Sequence, residues 1–156
     1  VTGVQTCALP ILTRYKGTIE HFAGDGLMIF FNDPIPLPNP AEEAVRLAIE
    51  IQQKFVALRE AWSKRGYELN LGIGFAQGYA TLGAIGFEGR RDYAAIGSVA
   101  NLSARLCSEA KGGEILTNQR TLSKLDGIVH AEPVGATNLK GFTQPINTFR
   151  ITGLVN

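Results

Sequence analysis

The sequence predicts an α+β fold: a ferredoxin-like α/β sandwich lacking its first strand and helix, with helices on one face of a largely antiparallel sheet. Paired apolar runs of strand length, separated by glycine-bearing turns, argue for hairpins. Two longer segments carry apolar residues at helical spacing. The resulting order is β-β-α-β-β-β-α-β-α-β-β, and its opening β-β-α-β is a ferredoxin-like unit entered part-way. At 156 residues, with 45% apolar and 19% charged, the chain has the size and balance of one domain with a real core.

Residues 1–11, V-T-G-V-Q-T-C-A-L-P-I, do not lead sensibly into L-T-R-Y-K-G-T-I-E. They read as a foreign or disordered segment, which leaves 12–156 as the domain. Thr18 to Phe22 and Leu27 to Phe31 read as strands around Gly24-Asp25-Gly26, because Asp-Gly between apolar runs tolerates the positive φ of a tight hairpin. The following N-D-P-I-P-L-P-N-P is too proline-rich for a central strand or a helix interior. Asn39 then reads as an N-cap, with Pro40 at the first helical position and Glu42 and Glu43 in the first turn. That helix runs to about Arg65 and carries an apolar stripe of Val45, Ala48, Ile49, Ile51, Phe55, Leu58 and Trp62. Gly66 ends it.

Leu69 to Phe75 and Tyr79 to Ile85 read as strands joined in a hairpin at Gln77-Gly78, and Asp92 to Ile96 as another strand. Ser98 reads as the cap of a second helix from Val99 to about Ala110, stopped by Lys111-Gly112-Gly113. Glu114 to Thr117 follows as a strand, Asn118 caps a short helix to Leu125, and Val129 to Val134 and Ile146 to Ile151 close the chain as strands.

Composition excludes several functions. A net charge of +1 gives no electrostatic case for nucleic acid or an anionic membrane surface. Two cysteines are too few for a disulfide framework, which points to a reducing, cytoplasmic setting. No apolar run approaches a membrane span, and the opening residues lack the pattern of a secretory signal.

Two stretches carry chemistry. In G-T-I-E-H-F-A-G-D-G-L-M-I-F-F, residues 17–31, Asp25 reads as a turn residue and also as an exposed carboxylate able to ligate a metal. The tripeptide alone favours the turn. In R-R-D-Y-A-A-I-G-S-V-A-N-L-S-A-R-L-C, residues 90–107, Asn101 and Arg105 stand four apart and share a helix face, while Val99, Leu102 and Leu106 point to the core. An amide beside a guanidinium near a helix N-terminus suits phosphoryl transfer, since Arg forks onto phosphate oxygens and Asn can hold a sugar oxygen. An ordinary solvated polar pair is the other reading. Cys107 reads as a small packed residue, and His130 as structural.

The two stretches, together with G-I-G-F-A-Q-G-Y-A-T-L-G between them and L-K-G-F near the end, resemble the class III adenylyl/guanylyl cyclase catalytic domain. The four motifs occur in that family's order and span about residues 12–152. The resemblance implies that the sandwich is of the class III nucleotidyl cyclase type. It implies attack of a ribose 3′-hydroxyl on the α-phosphate of ATP or GTP, giving a 3′,5′-cyclic nucleotide and pyrophosphate for intracellular signalling. Asp25 is similar to one of the family's two metal-binding aspartates, which together hold two Mg²⁺ or Mn²⁺ ions. Asn101 and Arg105 fall on the pair that steadies ribose and phosphate, and Lys140 falls on the lysine that meets the triphosphate. The active sites of such enzymes form between two subunits, so a homodimer is implied. Sensor or membrane-anchoring segments are commonly appended to these domains.

The resemblance has departures. The family's other metal aspartate belongs several dozen residues before Asp25, where this chain does not reach; the fragment is therefore expected to be inactive and prone to aggregate. The two base-selecting positions are His21, where adenylyl cyclases carry Lys, and Ala94, where they carry Asp or Thr. A guanylyl cyclase would place Glu and Cys there. ATP remains favoured over GTP as the family's commonest bacterial substrate. His21 and Ala94 also admit a catalytically silent cyclase-like module that regulates or dimerises. Gly112-Gly113-Glu114-Ile115-Leu116 loosely echoes a diguanylate cyclase signature, but its second acid is absent.

Overall fold

In the computed structural model, which describes residues 10–87 and 90–155, the elements follow the predicted order. They are β1 (Thr18–Ala23), β2 (Gly26–Phe30), α1 (Pro40–Ser63), β3 (Ile73–Gly74), β4 (Thr81–Phe87), β5 (Arg90–Ile96), α2 (Ser98–Glu109), β6 (Ile115–Asn118), α3 (Gln119–Leu122), β7 (Val129–Thr137) and β8 (Ile146–Leu154). A helical stretch at 10–14 precedes them. β3-β6-β8-β7 form a four-stranded sheet, while β1-β2 and β4-β5 are separate two-stranded antiparallel hairpins. Within the four-stranded sheet β3 and β6 run parallel and the other pairs antiparallel.

Strand β6 shows how the helices are divided. Side chains alternate along a strand, and Ile115 packs with Ala41, Val45 and Ala48 of α1 whereas Leu116 packs with Leu106 of α2. Ile73 of β3 and Ile151 of β8 belong with the α1 side, and Ile146 with the α2 side. The helices therefore cover opposite faces of this sheet, which corrects the expectation of one covered face. The consecutive apolar residues Ile115-Leu116 are what a strand buried on both faces looks like. A third cluster joins Leu47 of α1 to Ile11, Leu12 and the first hairpin's Ile19, Ile29 and Phe31.

Asn39 caps α1 as predicted, its side-chain oxygen accepting from the Glu42 N–H at 3.3 Å. Burial along α1 concentrates in its first half, at Ala41, Val45, Leu47 and Ala48. The predicted stripe continues only as half-buried Phe55, Leu58 and Trp62, and Trp62 meets Tyr67 edge-on at 5.5 Å. Residues 1–9 of the expected foreign segment lie outside the described residues. Ile11, at its end, is 2% exposed and packs with Leu47.

The hairpin expected at Gln77-Gly78 is absent: β3 pairs with β6, and β4 with β5. The long strand expected from Leu69 shrinks to Ile73–Gly74: before it the Leu71 carbonyl accepts from the Gly113 N–H and from Gln52 Nε2, each at 2.8 Å, and beyond it threonine side chains take over the pairing. Phe75 N–H reaches the Leu116 carbonyl. The Thr117 hydroxyl donates to the Phe75 carbonyl at 2.9 Å, and Gln77 N–H donates to the Thr121 hydroxyl at 2.8 Å. Thr117 and Thr121 are fully buried, so these bonds satisfy groups that water cannot reach. The chain then crosses the start of α2, where a Cβ on Gly78 would stand 3.1 Å from Val99 Cβ. The short helix stops at Leu122 rather than Leu125, although Leu125 is fully buried.

The tightest packing lies between β3 and α2. A Cβ on Gly74 would run into the backbone nitrogen of Cys107, and there is no flexible side chain there to yield. Gly74→Ala is expected to lower stability by about 3 kcal/mol, read from urea unfolding. A second expectation concerns Glu114. The Lys111 backbone N–H, and then Arg150 at 2.8 Å, hold its carboxyl below the ordinary carboxylate range. Arg150 also reaches Glu132 at 3.3 Å, tying β6, β8 and β7 together. The folded state thus keeps Glu114 ionised at pH values where the unfolded chain takes up a proton. Its contribution is full above the unfolded value of about 4.3 and fades as pH falls through the lower folded value. Glu114→Gln should be less stable at neutral pH and should lose less stability than wild type on acidification below about pH 4, by denaturant titration at stepped pH.

Candidate active site

Asp25 sits at the tip of β1-β2. The loop residues are Gly24 and Asp25, with Ala23 opposite Gly26, so the turn pair is Gly-Asp rather than the expected Asp-Gly. Gly24 adopts φ +63°, glycine at the first central position as a type II′ turn asks. That leaves Asp25 exposed with its carboxylate at the apex. Among the described residues no three His, Cys, Asp or Glu side chains gather as a metal cluster. One carboxylate does not hold two divalent ions, so the described residues do not by themselves fit a two-ion site.

Helix α2 carries Asn101 and Arg105. Its N-cap is Gly97, whose carbonyl accepts from Ala100 and Asn101 N–H; Ser98 is the first helical residue and caps nothing, which corrects its expected role. Glycine fits there because a Cβ on Gly97 would stand 2.9 Å from the Tyr79 carbonyl oxygen. Asn101 and Arg105 are exposed, and among the described residues their side chains make no hydrogen bond or ion pair. Leu102 and Leu106 turn inward as predicted, with Leu106 fully buried. Ser103 lies against the first hairpin, its hydroxyl 3.9 Å from Met28 Sδ. Two residues on a helix rotate by about 200°, so Asn101 and Arg105 point away from the side that Ser103 turns to β2. Cys107 is exposed rather than packed, its Sγ 3.5 Å from the Gly72 carbonyl. It stands beside β3, where glycines present backbone instead of a side-chain pocket.

The L-K-G-F turn docks on the same helix. Leu139 is buried against Leu106 and Leu116, Phe142 packs beside them, and Gly141 turns at φ +91°. Lys140 is held exposed between them. The structure therefore brings the lysine turn to the helix of Asn101 and Arg105, while the Asp25 hairpin meets that helix on another side.

The two positions expected to select the base, His21 and Ala94, lie on strands that touch. β1 has a bulge between Ile19 and His21, which leaves Glu20 without a partner on β2. Glu20 Oε1 accepts a hydrogen bond from the Ala95 N–H of β5 at 3.0 Å and lies 3.8 Å from His21 Nδ1. His21 and Ala94 thus flank one contact between the hairpins. The same junction carries Tyr93, whose hydroxyl donates to Asp33 Oδ1 at 3.0 Å and whose ring stands 6.0 Å from Phe30. The Asp33 hydrogen bond is the main reason the Tyr93 phenol is raised above its ordinary range. Glu20 escaped sequence reading. Its one signal is a charged residue inside an apolar strand run, and the bulge that redirects it cannot be read from one chain.

The profile described as the Adenylate and Guanylate cyclase catalytic domain matches residues 13–153. The chain belongs to this family. It is similar to the crystal structure of the adenylyl cyclase CyaB from P. aeruginosa, with TM-score 0.89 and 32% identity over 97% of this chain and 79% of that one. The guanylyl cyclase Cya2 superposes with TM-score 0.87 at 27% identity, over 98% of this chain and 78% of that one. Adenylate cyclase 1 of Rhizobium meliloti (strain 1021) is 26% identical over 148 residues, 93% of this chain and 22% of that protein. The chain spans about a quarter of the length of the curated relatives it matches. The diguanylate cyclase echo dissolves: Gly113 turns the chain at φ +87° and the Glu114 carboxylate is engaged by Lys111 N–H and Arg150. Exposed His130 lies on β7. Among the described residues no helix is long and apolar enough to cross a membrane.

Because Asn101 and Arg105 are exposed and, among the described residues, make no hydrogen bond or ion pair, Asn101→Ala and Arg105→Ala should leave the urea unfolding midpoint unchanged. Leu106→Ala, at the buried residue that follows Arg105, should lower stability by about 3 kcal/mol.

Proposed function

We propose that this cyclase catalytic domain converts a nucleoside triphosphate, ATP in preference to GTP, to its 3′,5′-cyclic nucleotide in a homodimer. The observation that carries the reading is the pair Asn101 and Arg105, presented together, exposed and unbonded, on a helix of this family's catalytic domain. Exposed guanidinium and amide groups four residues apart match the oxygens of a ribose phosphate. The ribose 3′-oxygen bonds to the α-phosphorus, the bond to the β-phosphate's bridging oxygen breaks, and pyrophosphate leaves as the hydroxyl proton passes to solvent. Arg105 meets the charge that grows on the α-phosphate, Asn101 orients the ribose, and Lys140 neutralises the departing phosphates.

Direction supports the dimer. Asp25 belongs to the hairpin that Ser103 faces, and Asn101 with Arg105 points the other way. One chain does not close its own site, whereas two related by a twofold axis can offer the hairpin tip of one to the helix of the other. In this reading Asp25 is the one carboxylate that the described residues lend to two Mg²⁺ or Mn²⁺ ions, and the 156-residue chain alone turns nothing over. The preference for ATP is supported by the likeness to two adenylyl cyclases. A silent regulatory module is the second reading, favoured by Ala94, which has no group to hydrogen-bond a base.

The test is product formation by the domain extended upstream to include a second metal aspartate, given Mn²⁺ and ATP or GTP. Cyclic AMP measured by mass spectrometry is expected to exceed cyclic GMP. Arg105→Ala should lower kcat/KM by about a hundredfold or more, and Asp25→Ala should abolish product. A folded dimer that binds nucleotide and makes neither product would establish the silent module.

A further inference from the structure

Glu20 occupies a place that strand geometry does not provide by default. Neighbouring side chains on a strand point to opposite faces, yet the Glu20 carboxylate and the His21 ring stand 3.8 Å apart. The bulge at Glu20 accounts for this, since an extra residue re-aims its side chain. The carboxylate is carried over to β5, where Oε1 takes the Ala95 N–H at 3.0 Å and the side chain is left 8% exposed. That N–H belongs to the Ala94-Ala95 peptide, so the carboxylate lies beside the position where the methyl group of Ala94 can accept nothing.

Its second oxygen is uncommitted. Among the described residues Glu20 Oε2 accepts no hydrogen bond, and the one buried side-chain polar atom without a partner is Gln77 Oε1. Oε2 is thus not sealed in the interior. A carboxylate oxygen that is held in place and is not fully sealed takes a hydrogen-bond donor or a cation, and of the donors a purine ring can bring to it the amino group is the one that separates adenine from guanine. Adenine offers its 6-amino group as such a donor, whereas guanine carries a carbonyl oxygen at that atom.

We propose that Glu20 is the base-reading residue of this site, its Oε2 accepting the 6-amino group of adenine in the role that Ala94 cannot fill. The inference rests on the reading above that His21 and Ala94 flank the purine. Rejection of guanine then comes from two acceptor oxygens brought face to face, and the Ala95 hydrogen bond keeps the carboxylate from swinging away.

The experiment is calorimetric titration of ATP, GTP and inosine triphosphate into the full 156-residue chain with Mn²⁺, for wild type and Glu20→Gln. Inosine triphosphate replaces the 6-amino group of ATP by a carbonyl. Wild type should bind ATP more tightly than either carbonyl base by about tenfold or more. Glu20→Gln keeps an oxygen for the Ala95 N–H, but its amide can turn an N–H to the base. Its ATP preference should fall to near parity, with inosine triphosphate and GTP gaining and ATP losing. If Glu20 only braces the hairpins, the variant keeps the wild-type ratio, and that result overturns the proposal while leaving the cyclase reading intact. A wild-type preference for GTP overturns it as well. If wild type binds none of the three nucleotides, the placement of a purine beside His21 and Ala94 fails and this inference falls with it, while the cyclase reading is judged separately by product formation.

Discussion

The contact on which this domain depends is backbone against backbone. Strand β3 runs so close beneath α2 that Gly74 has no room for a single carbon beside Cys107, and Gly72 meets the carbonyl of Ala110 in the same way. Most helix–sheet contacts are spaced by interleaved side chains, which leave the helix some freedom to slide. Here the spacer is missing, and the height of α2 over the sheet is set by the peptide chain itself. Leu106, Leu116 and Leu139 fill the space alongside. Asn101 and Arg105 are exposed and, among the described residues, make no hydrogen bond or ion pair, so a fixed helix is what places them.

The same economy explains why the candidate site residues face apart. α2 is gripped below by β3 and β6, at one flank by the Leu139 turn and at another by Met28 of the first hairpin. What remains free is the strip that carries Asn101 and Arg105. A helix so held cannot turn that strip toward its own Asp25. In the proposed dimer a second chain supplies the other half. Exposed Phe22, Leu27, Tyr79, Tyr93 and Ile96 lie on or beside the two hairpins, where such a partner could cover them.

Much of the fold was legible because its signals are local. The order of elements, the Asn39 and Asn118 caps and the inward Leu102 and Leu106 depend on neighbours a few residues away. The errors share a cause of the opposite kind. Gln77-Gly78 resembles a hairpin turn, but its glycine is there to pass over Val99, a residue distant in sequence. Ser98 resembles a cap, but the cap position is taken by Gly97 because the crossing chain at Tyr79 presses on it. The two-sided burial of β6 was visible in Ile115-Leu116 yet needed the sheet order to be understood. At the candidate site, Asp25, Asn101, Arg105 and Lys140 were singled out through motifs, which record chemistry; Glu20 was not singled out because the position of its side chain depends on a bulge.

The bulge links architecture to recognition. Glu20 holds the first hairpin to β5, with Tyr93 bonding Asp33 and facing Phe30 at the same junction. Those hairpins belong to different sheets, and no backbone ladder joins them. Their relative position is thus decided by a few side chains, one of which is the carboxylate inferred to read the base. A residue that both spans the seam and faces the proposed base position couples the two roles whenever its side chain is removed. Removing the carboxylate widens the gap and erases the acceptor together, while a change at Ala94 alone must fit beside a carboxylate already in place. On this account base preference follows the seam between the hairpins, and an alanine at the usual contact position is compatible with selection.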